Sequence, residues 1–240
     1  MIEYIGVSRS YGKRLAVDEL HLKIPPGELF AFLGPNGAGK TTTMKMAVGL
    51  LRPHQGLVRV CGHDVGSEPR AAKSKLSYVP DEPHLYDKLT GREFLQFIAE
   101  MYGIRGTIET EKQIERFGIS DFVDELTETY SHGMKQRLVF ASAFLHHPKV
   151  LVVDEPMVGL DPKSIRLVKD LLREQAAAGT TVFMSTHTLA VAEEIGDRIG
   201  IIVRGKLEFV GTLAALKDEC RQHHSSLEEM FLELTQEDES

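Results

Sequence analysis

Cysteine is scarce in this 240-residue chain, with only Cys61 and Cys220 present. Neither lies in a metal or redox spacing, and nothing in them points to an oxidising compartment. No apolar run approaches the ~20 residues that a membrane-spanning helix needs. Any work at a membrane would therefore go through a partner. Met1-Ile2-Glu3-Tyr4 lacks a basic segment followed by an apolar stretch, so no signal peptide is expected. Repeats and low-complexity segments are missing. Positive charge is not in excess either: 28 Lys and Arg stand against 35 Asp and Glu, a formal charge of -7. That balance carries no basic footprint for nucleic acid. What remains, 42% hydrophobic and 26% charged, is ordinary for a globular chain of one large domain or a domain with an inserted lobe.

Against this plain background one stretch stands out. Gly34-Pro35-Asn36-Gly37-Ala38-Gly39-Lys40-Thr41-Thr42 is a full match to the phosphate-loop pattern G-x-x-x-x-G-K-[ST]. Residues 28–33 before it read as a short buried strand, and 42–51 after it as a helix, the context that this motif requires. The glycines let backbone N–H groups curl around phosphate oxygens. Lys40 adds a point charge for the outer phosphates, and the Thr41 hydroxyl can ligate Mg²⁺. The helix N-terminus adds its partial positive charge. The loop is read as a nucleoside triphosphate site.

The rest of the chain frames that loop. Residues 2–24 predict two strands joined at Tyr11-Gly12-Lys13. Two readings of Tyr11 stay open, a surface turn tyrosine or a flat platform for a nucleobase. Short strands are expected at 57–60 and 77–80. Thr90-Gly91-Arg92-Glu93 has the form of a capping box, and apolar residues follow at helical spacing to about His147. This predicts a helical lobe inserted between two strands of an α/β core, its Phe and Met residues packing rather than binding a cofactor. Strand character returns at 150–153 and ends in Asp154-Glu155. Such acids can form a solvated turn, but ligands gather at the carboxyl ends of buried parallel strands. Asp161-Pro162 predicts a helix start and Gly179 its stop. A strand over 180–185 ends near His187, on its own unremarkable. A hairpin is expected across Arg204-Gly205, and a last short helix over 230–234. His146-His147 and His223-His224 lack matching ligands nearby and are expected at exposed helix ends.

Between the loop and the strand-end acids lies Tyr130-Ser131-His132-Gly133-Met134-Lys135-Gln136-Arg137, and after the acids comes Gly159-Leu160-Asp161-Pro162. With these in place, nearly the whole chain resembles the ATP-binding subunits of ABC transporters. The resemblance implies one nucleotide-binding domain over 1–240: a RecA-like P-loop NTPase core of the α/β class, with an antiparallel β-subdomain and an inserted α-helical subdomain over 84–147. A C-terminal hairpin strand and helical tail would occupy 206–240. ATP and Mg²⁺ are the implied cofactors. Tyr11 would stack on adenine, and residues 34–42 would wrap the phosphates, with Lys40 on the β- and γ-phosphates. Thr41 and Asp154 would hold Mg²⁺. Glu155 would act as general base or position the attacking water, and His187 would link it to the γ-phosphate. Ser131 and Gly133 would serve the nucleotide of a second ATPase subunit packed head to tail, with Asp161 at the contact between the two. Transmembrane permease subunits would be the other partners, placing the chain at the cytoplasmic face of the cell membrane, with no nucleic acid involved.

Two departures bear on function. The usual pair of signature glycines reads His132-Gly133, with Met134 where glutamine is common. Asp81 stands where the family commonly has a glutamine that touches Mg²⁺ and the attacking water. A carboxylate ligates Mg²⁺ too, but donates no hydrogen bond unless protonated. Asp81 is expected to serve in the glutamine's place. The signature, the Pro80-Asp81-Glu82-Pro83 turn and the 227–235 tail resemble subunits of ABC-2-type exporters. The alternatives are an importer ATPase and a non-transport ABC ATPase of ribosome function or DNA repair. Repair members carry a long coiled-coil insertion and ribosome-associated members usually two cassettes, and this chain has neither.

Overall fold

The structure, a computed structural model, describes residues 1–222 and Glu229. β1 (Ile2–Tyr11) and β2 (Arg14–Ile24) form an antiparallel hairpin. β3 (Leu29–Leu33) leads through the glycine-rich loop into α1 (Lys40–Ala47). β4 (Gln55–Val60) and a short β5 (His63–Asp64) complete a four-stranded antiparallel sheet in the order β2-β1-β4-β5. α2 (Pro69–Lys73) precedes β6 (Leu76–Val79). Then come α3 (Gly91–Met101), α4 (Ile108–Arg116) and α5 (His132–Phe144), all before β7 (Val150–Val153). The remaining elements are α6 (Pro162–Ala177), β8 (Thr181–Thr186), α7 (Leu189–Ile195), β9 (Arg198–Val203), β10 (Lys206–Gly211) and α8 (Leu213–Gln222). The second sheet runs β10-β9-β3-β8-β7-β6, parallel except for β10 at one edge.

The central strand β3 explains its own composition. Phe30 and Phe32 point into a core shared with the antiparallel sheet, while Leu29, Ala31 and Leu33 face a second core formed with α5, α6 and α7. A strand covered on both faces reads as a continuous apolar run instead of an alternation. Phe183 of β8 sits in the first core, its ring centroid 5.5 Å from Phe32, 6.1 Å from Phe30 and 6.2 Å from Tyr4. Burying one such ring contributes about 1.5–3 kcal/mol. The helices between β6 and β7 have a core of their own around Leu95, Ile114, Val123 and Leu138. Phe117 stacks on Phe140 and Phe144 and ties that lobe to the sheet.

Local signals translate closely. Thr90 and Glu93 form the full capping box of α3. Asp161 caps α6 by accepting from Lys163 N–H and Ser164 N–H. The hairpin across Arg204 and Gly205 joins β9 to β10. Several expectations need correction. The helix expected over 42–51 spans Lys40–Ala47, because the chain turns out at Gly49, with φ of 68°. β8 runs one residue later than expected. β5, α2 and α7 have no counterpart among the expected elements, while α8 lies within the 206–240 range given to a hairpin strand and helical tail. His146 is not at an exposed helix end: it is half-buried, its ring stacked 3.8 Å from Tyr102. Burial there pushes its pKa below the ordinary histidine value. His147 is exposed. The helix expected over 230–234 and His223-His224 lie outside the described residues. Among the described residues no helix is long and apolar enough to cross a membrane.

Candidate active site

The loop between β3 and α1 is held against two neighbouring backbones. A Cβ on Gly34 would lie 2.3 Å from the Ile202 carbonyl oxygen, and one on Gly39 2.3 Å from the Ala16 carbonyl oxygen. Gly39 also caps α1 with φ of 112°. Only glycine meets both demands at that point. Lys40, with 6% of its surface exposed, donates from Nζ to the Gly34 carbonyl at 2.7 Å and the Pro35 carbonyl at 3.1 Å. The cation is thus folded over the loop rather than extended into solvent. The loop forms one wall of a cleft of about 370 Å³, lined also by Tyr11, Arg14, Asp81 and Glu155.

The acids enter from β7, two strands away from β3 with β8 between them. Asp154 is 1% exposed, and its Oδ1 accepts from Ser185 Oγ at 2.6 Å. The Tyr78 hydroxyl lies 3.5 Å from the other oxygen. Burial first, and then the Asp154 charge, push the Tyr78 phenol well above its usual range. Glu155 has φ of 47°, a left-handed conformation that costs an ordinary residue roughly 1–2 kcal/mol. Its amide N–H donates to Ser185 Oγ at 2.9 Å. The kink places the carboxylate between two partners, Lys40 Nζ at 3.2 Å from Oε1 and His187 Nδ1 at 3.0 Å from Oε2. The Lys40 contact is an ion pair without hydrogen-bond alignment, since Oε1 is buried and has no hydrogen-bond partner. Against a carboxylate, which only accepts, Nδ1 of His187 carries the proton.

The oxygen donors suit a hard cation. Thr41, Asp81 and Asp154 line one adjoining cavity, a hydroxyl and two carboxylates. Among the described residues no group of three or more His, Cys, Asp or Glu could hold a metal. Mg²⁺ typically takes one or two carboxylates and completes its shell with phosphates and water. The Asp81 carboxyl is pushed above the ordinary carboxylate range, by burial at the cleft wall and then by the charges of Asp154, Glu155 and Glu82.

Tyr11 is half-exposed at the end of β1, with the Arg9 guanidinium 5.3 Å from its ring centroid. The structure thus brings Tyr11, the loop, Asp81, Asp154, Glu155 and His187 to one end of the sheet. It does not bring Ser131 and Gly133 there. Ser131 caps α5, accepting from Met134 N–H at 3.3 Å, and a Cβ on Gly133 would meet nothing within 4 Å. The loop after Glu155 neighbours them, since a Cβ on Gly159 would lie 3.4 Å from the His132 ring. Asp161, at the end of that loop, is held below the usual carboxylate range by its Ser164 hydrogen bonds, the hydroxyl's first. Two residues were missed by sequence reasoning. Arg14 donates to the Gly37 carbonyl at 3.1 Å, and its signal is its place opposite Tyr11 across the hairpin. Ser185 has only a weak signal, a polar residue inside an apolar strand.

A sequence profile of the family described as ABC transporter matches residues 17–158. The chain is 40% identical over 219 residues to the daunorubicin/doxorubicin resistance ATP-binding protein DrrA of Streptomyces peucetius, across 90% of this chain and 66% of that protein. The solved structure of an ATP-binding subunit of an ABC transporter superposes with a TM-score of 0.89 at 31% identity, covering 98% of this chain and 99% of that one. A dimeric, post-hydrolysis state of the ATP-binding cassette MJ0796, bound to ADP and Pi, superposes with a TM-score of 0.81 at 25% identity, over 89% and 99%.

Proposed function

The chain belongs to the ABC transporter family as an ATP-binding, ATP-hydrolysing subunit, and from that premise we propose that its cleft hydrolyses MgATP to drive export through separate membrane subunits. The observation that carries the reading is Glu155, held between Lys40 and His187 beside the phosphate loop.

Tyr11 stacks on the adenine, and the loop amides of 34–42 with Lys40 bind the β- and γ-phosphates. Thr41 and Asp154 would hold Mg²⁺, with Asp81 on the same side of the cleft. When bound, the ion neutralises charge on the phosphate oxygens. Glu155 accepts a proton from the attacking water or aligns it toward the γ-phosphate. His187 donates from Nδ1 to Glu155 and links that carboxylate to a γ-phosphate oxygen. Lys40 and His187 also stabilise the charge that spreads over that group in the transition state. Catalysis on this account is positioning and charge neutralisation.

Ser131 and Gly133 stand at the N-terminus of α5, away from the cleft of their own chain. Such a terminus favours an anion. A head-to-tail pair of subunits would bring each to the partner's γ-phosphate, with Asp161 and its loop between the two. The dimeric state of the MJ0796 cassette supports this arrangement. A patch on the helical lobe supports the membrane partner: Tyr86, Phe97 and Met101 are exposed, with Tyr86 and Phe97 edge to face at 5.8 Å. Exposed apolar clusters of this kind mark interaction sites. The resistance function in the name of the Streptomyces relative supports export of a drug-like substrate, and the chain would act from the cytoplasmic face of the membrane.

The test is co-purification. A tagged chain drawn from its native membranes in mild detergent should bring a polytopic membrane protein in stoichiometric amount. Recovery of ribosomal or DNA-repair proteins in its place would overturn the transporter reading.

A further inference from the structure

We propose that Ser185 is a positioning residue of the ATPase, whose one hydroxyl sets the direction of both strand-end acids. The proposal rests on the roles given above to Asp154 and Glu155.

Ser185 is fully buried near the end of β8, in a run that is otherwise apolar from Val182 to Met184. A polar group in such a place costs stability unless it is hydrogen-bonded. Its oxygen has two partners, both from the neighbouring strand-end turn. It donates to Asp154 Oδ1 at 2.6 Å and accepts from Glu155 N–H at 2.9 Å. The roles cannot be exchanged: the amide is already a donor, so the hydroxyl's only proton goes to the carboxylate. That bond is charge-assisted and therefore of the stronger kind. It occupies Oδ1 and leaves Oδ2 as the Asp154 oxygen nearer the Tyr78 hydroxyl, on the wall shared with Thr41 and Asp81.

The second bond acts on the backbone. Glu155 holds a left-handed φ of 47° with no glycine to ease it. Such a conformation persists only where surrounding structure over-determines it. Ser185 supplies that restraint at the residue's own amide. The kink it fixes is what brings the Glu155 carboxylate to both Lys40 and His187. Parallel pairing of β7 with β8, with Val153 opposite Met184, sets the hydroxyl one residue beyond the last paired position, level with the two acids. A serine that were merely a satisfied core residue would need no pair of bonds to two acids of different duty.

The experiment compares Ser185→Ala, Ser185→Cys, Ser185→Thr and Glu155→Gln in the full chain. It measures kcat and KM for MgATP, and binding of a fluorescent ATP analogue with and without Mg²⁺. Ser185→Ala should lower kcat about tenfold to a hundredfold, the loss expected for one charge-assisted bond. Its Mg²⁺-free analogue binding should stay at the wild-type level, while the Mg²⁺ concentration needed for half-maximal turnover rises. Ser185→Thr, which keeps the hydroxyl, should recover most of the rate. Ser185→Cys packs alike but donates weakly, so it should fall with Ala; it takes the place of Ala if that variant does not fold. Wild-type turnover in both Ala and Cys, with Glu155→Gln inactive, would overturn the proposal and leave the site standing. A loss of Mg²⁺-free binding equal to the loss of rate, with Thr no better than Ala, would also overturn it. Wild-type turnover in Glu155→Gln would instead overturn the site reading itself.

Discussion

Replacing Gly39 with alanine tests the phosphate loop where it is most tightly constrained. Two costs add. The residue has φ of 112°, outside the region that L side chains favour, for a penalty of roughly 1–2 kcal/mol. The new methyl would also start 2.3 Å from the Ala16 carbonyl oxygen, a backbone atom of β2 that cannot swing aside. Overpacking of that kind typically costs about 1–3 kcal/mol. Together they predict about 2–5 kcal/mol of lost stability, read as a lower urea midpoint at constant slope. Relief of the clash would lift the loop from β2, so fluorescent-ATP binding should fall at least about tenfold as well. Gly37→Ala is the comparison. It shares a positive φ, 80°, but its methyl would meet only the flexible end of Arg14 at 3.1 Å. Its loss should stay near about 1–2 kcal/mol. A Gly39→Ala chain that kept wild-type stability and binding, or that matched Gly37→Ala, would refute the steric half of the reasoning.

Phe183→Ala should cost about 3–5 kcal/mol by urea unfolding, because the ring is fully buried against three aromatic neighbours that cannot all close over the gap. Tyr11→Ala should weaken adenine-nucleotide binding by about fivefold to a hundredfold, the range of one stacking contact, while Tyr11→Phe stays close to wild type. Titration of His146 should appear in the pH profile of Tm. Its folded pKa lies below the ordinary value, so as pH falls through about 6.5 the unfolded chain takes up a proton that the folded chain refuses, and stability drops. His146→Phe keeps a ring against Tyr102 and should flatten that acid limb relative to wild type.

What the sequence made legible was local. The phosphate loop and Asp154-Glu155 are contiguous, and their chemistry follows from residue order. The capping box at Thr90 and the proline after Asp161 act within four residues, so they mark helix starts directly. What escaped depended on pairing between distant segments. Ser185 gains meaning only when β8 lies beside β7, and Arg14 only when the hairpin sets it opposite Tyr11. α1 ends at Ala47, four residues before the end expected for it, because Gly49 turns the chain out where the local pattern alone would let the helix continue. β5 and α2 are two and five residues long, too short for any periodicity to declare them. His146 shows the reverse error: a helix-end histidine looked like surface, and the helical lobe supplied Tyr102 to cover it.

The most direct test of the account is the behaviour of Glu155→Gln in MgATP. Light scattering after gel filtration, paired with phosphate release, reads both halves of the claim at once. If Glu155 directs water at the γ-phosphate and Ser131 and Gly133 complete the partner's site, the variant should release almost no phosphate and run at twice the monomer mass only while ATP is present. Phosphate release at the wild-type rate, or an inactive chain that stays monomeric in saturating MgATP, would contradict it.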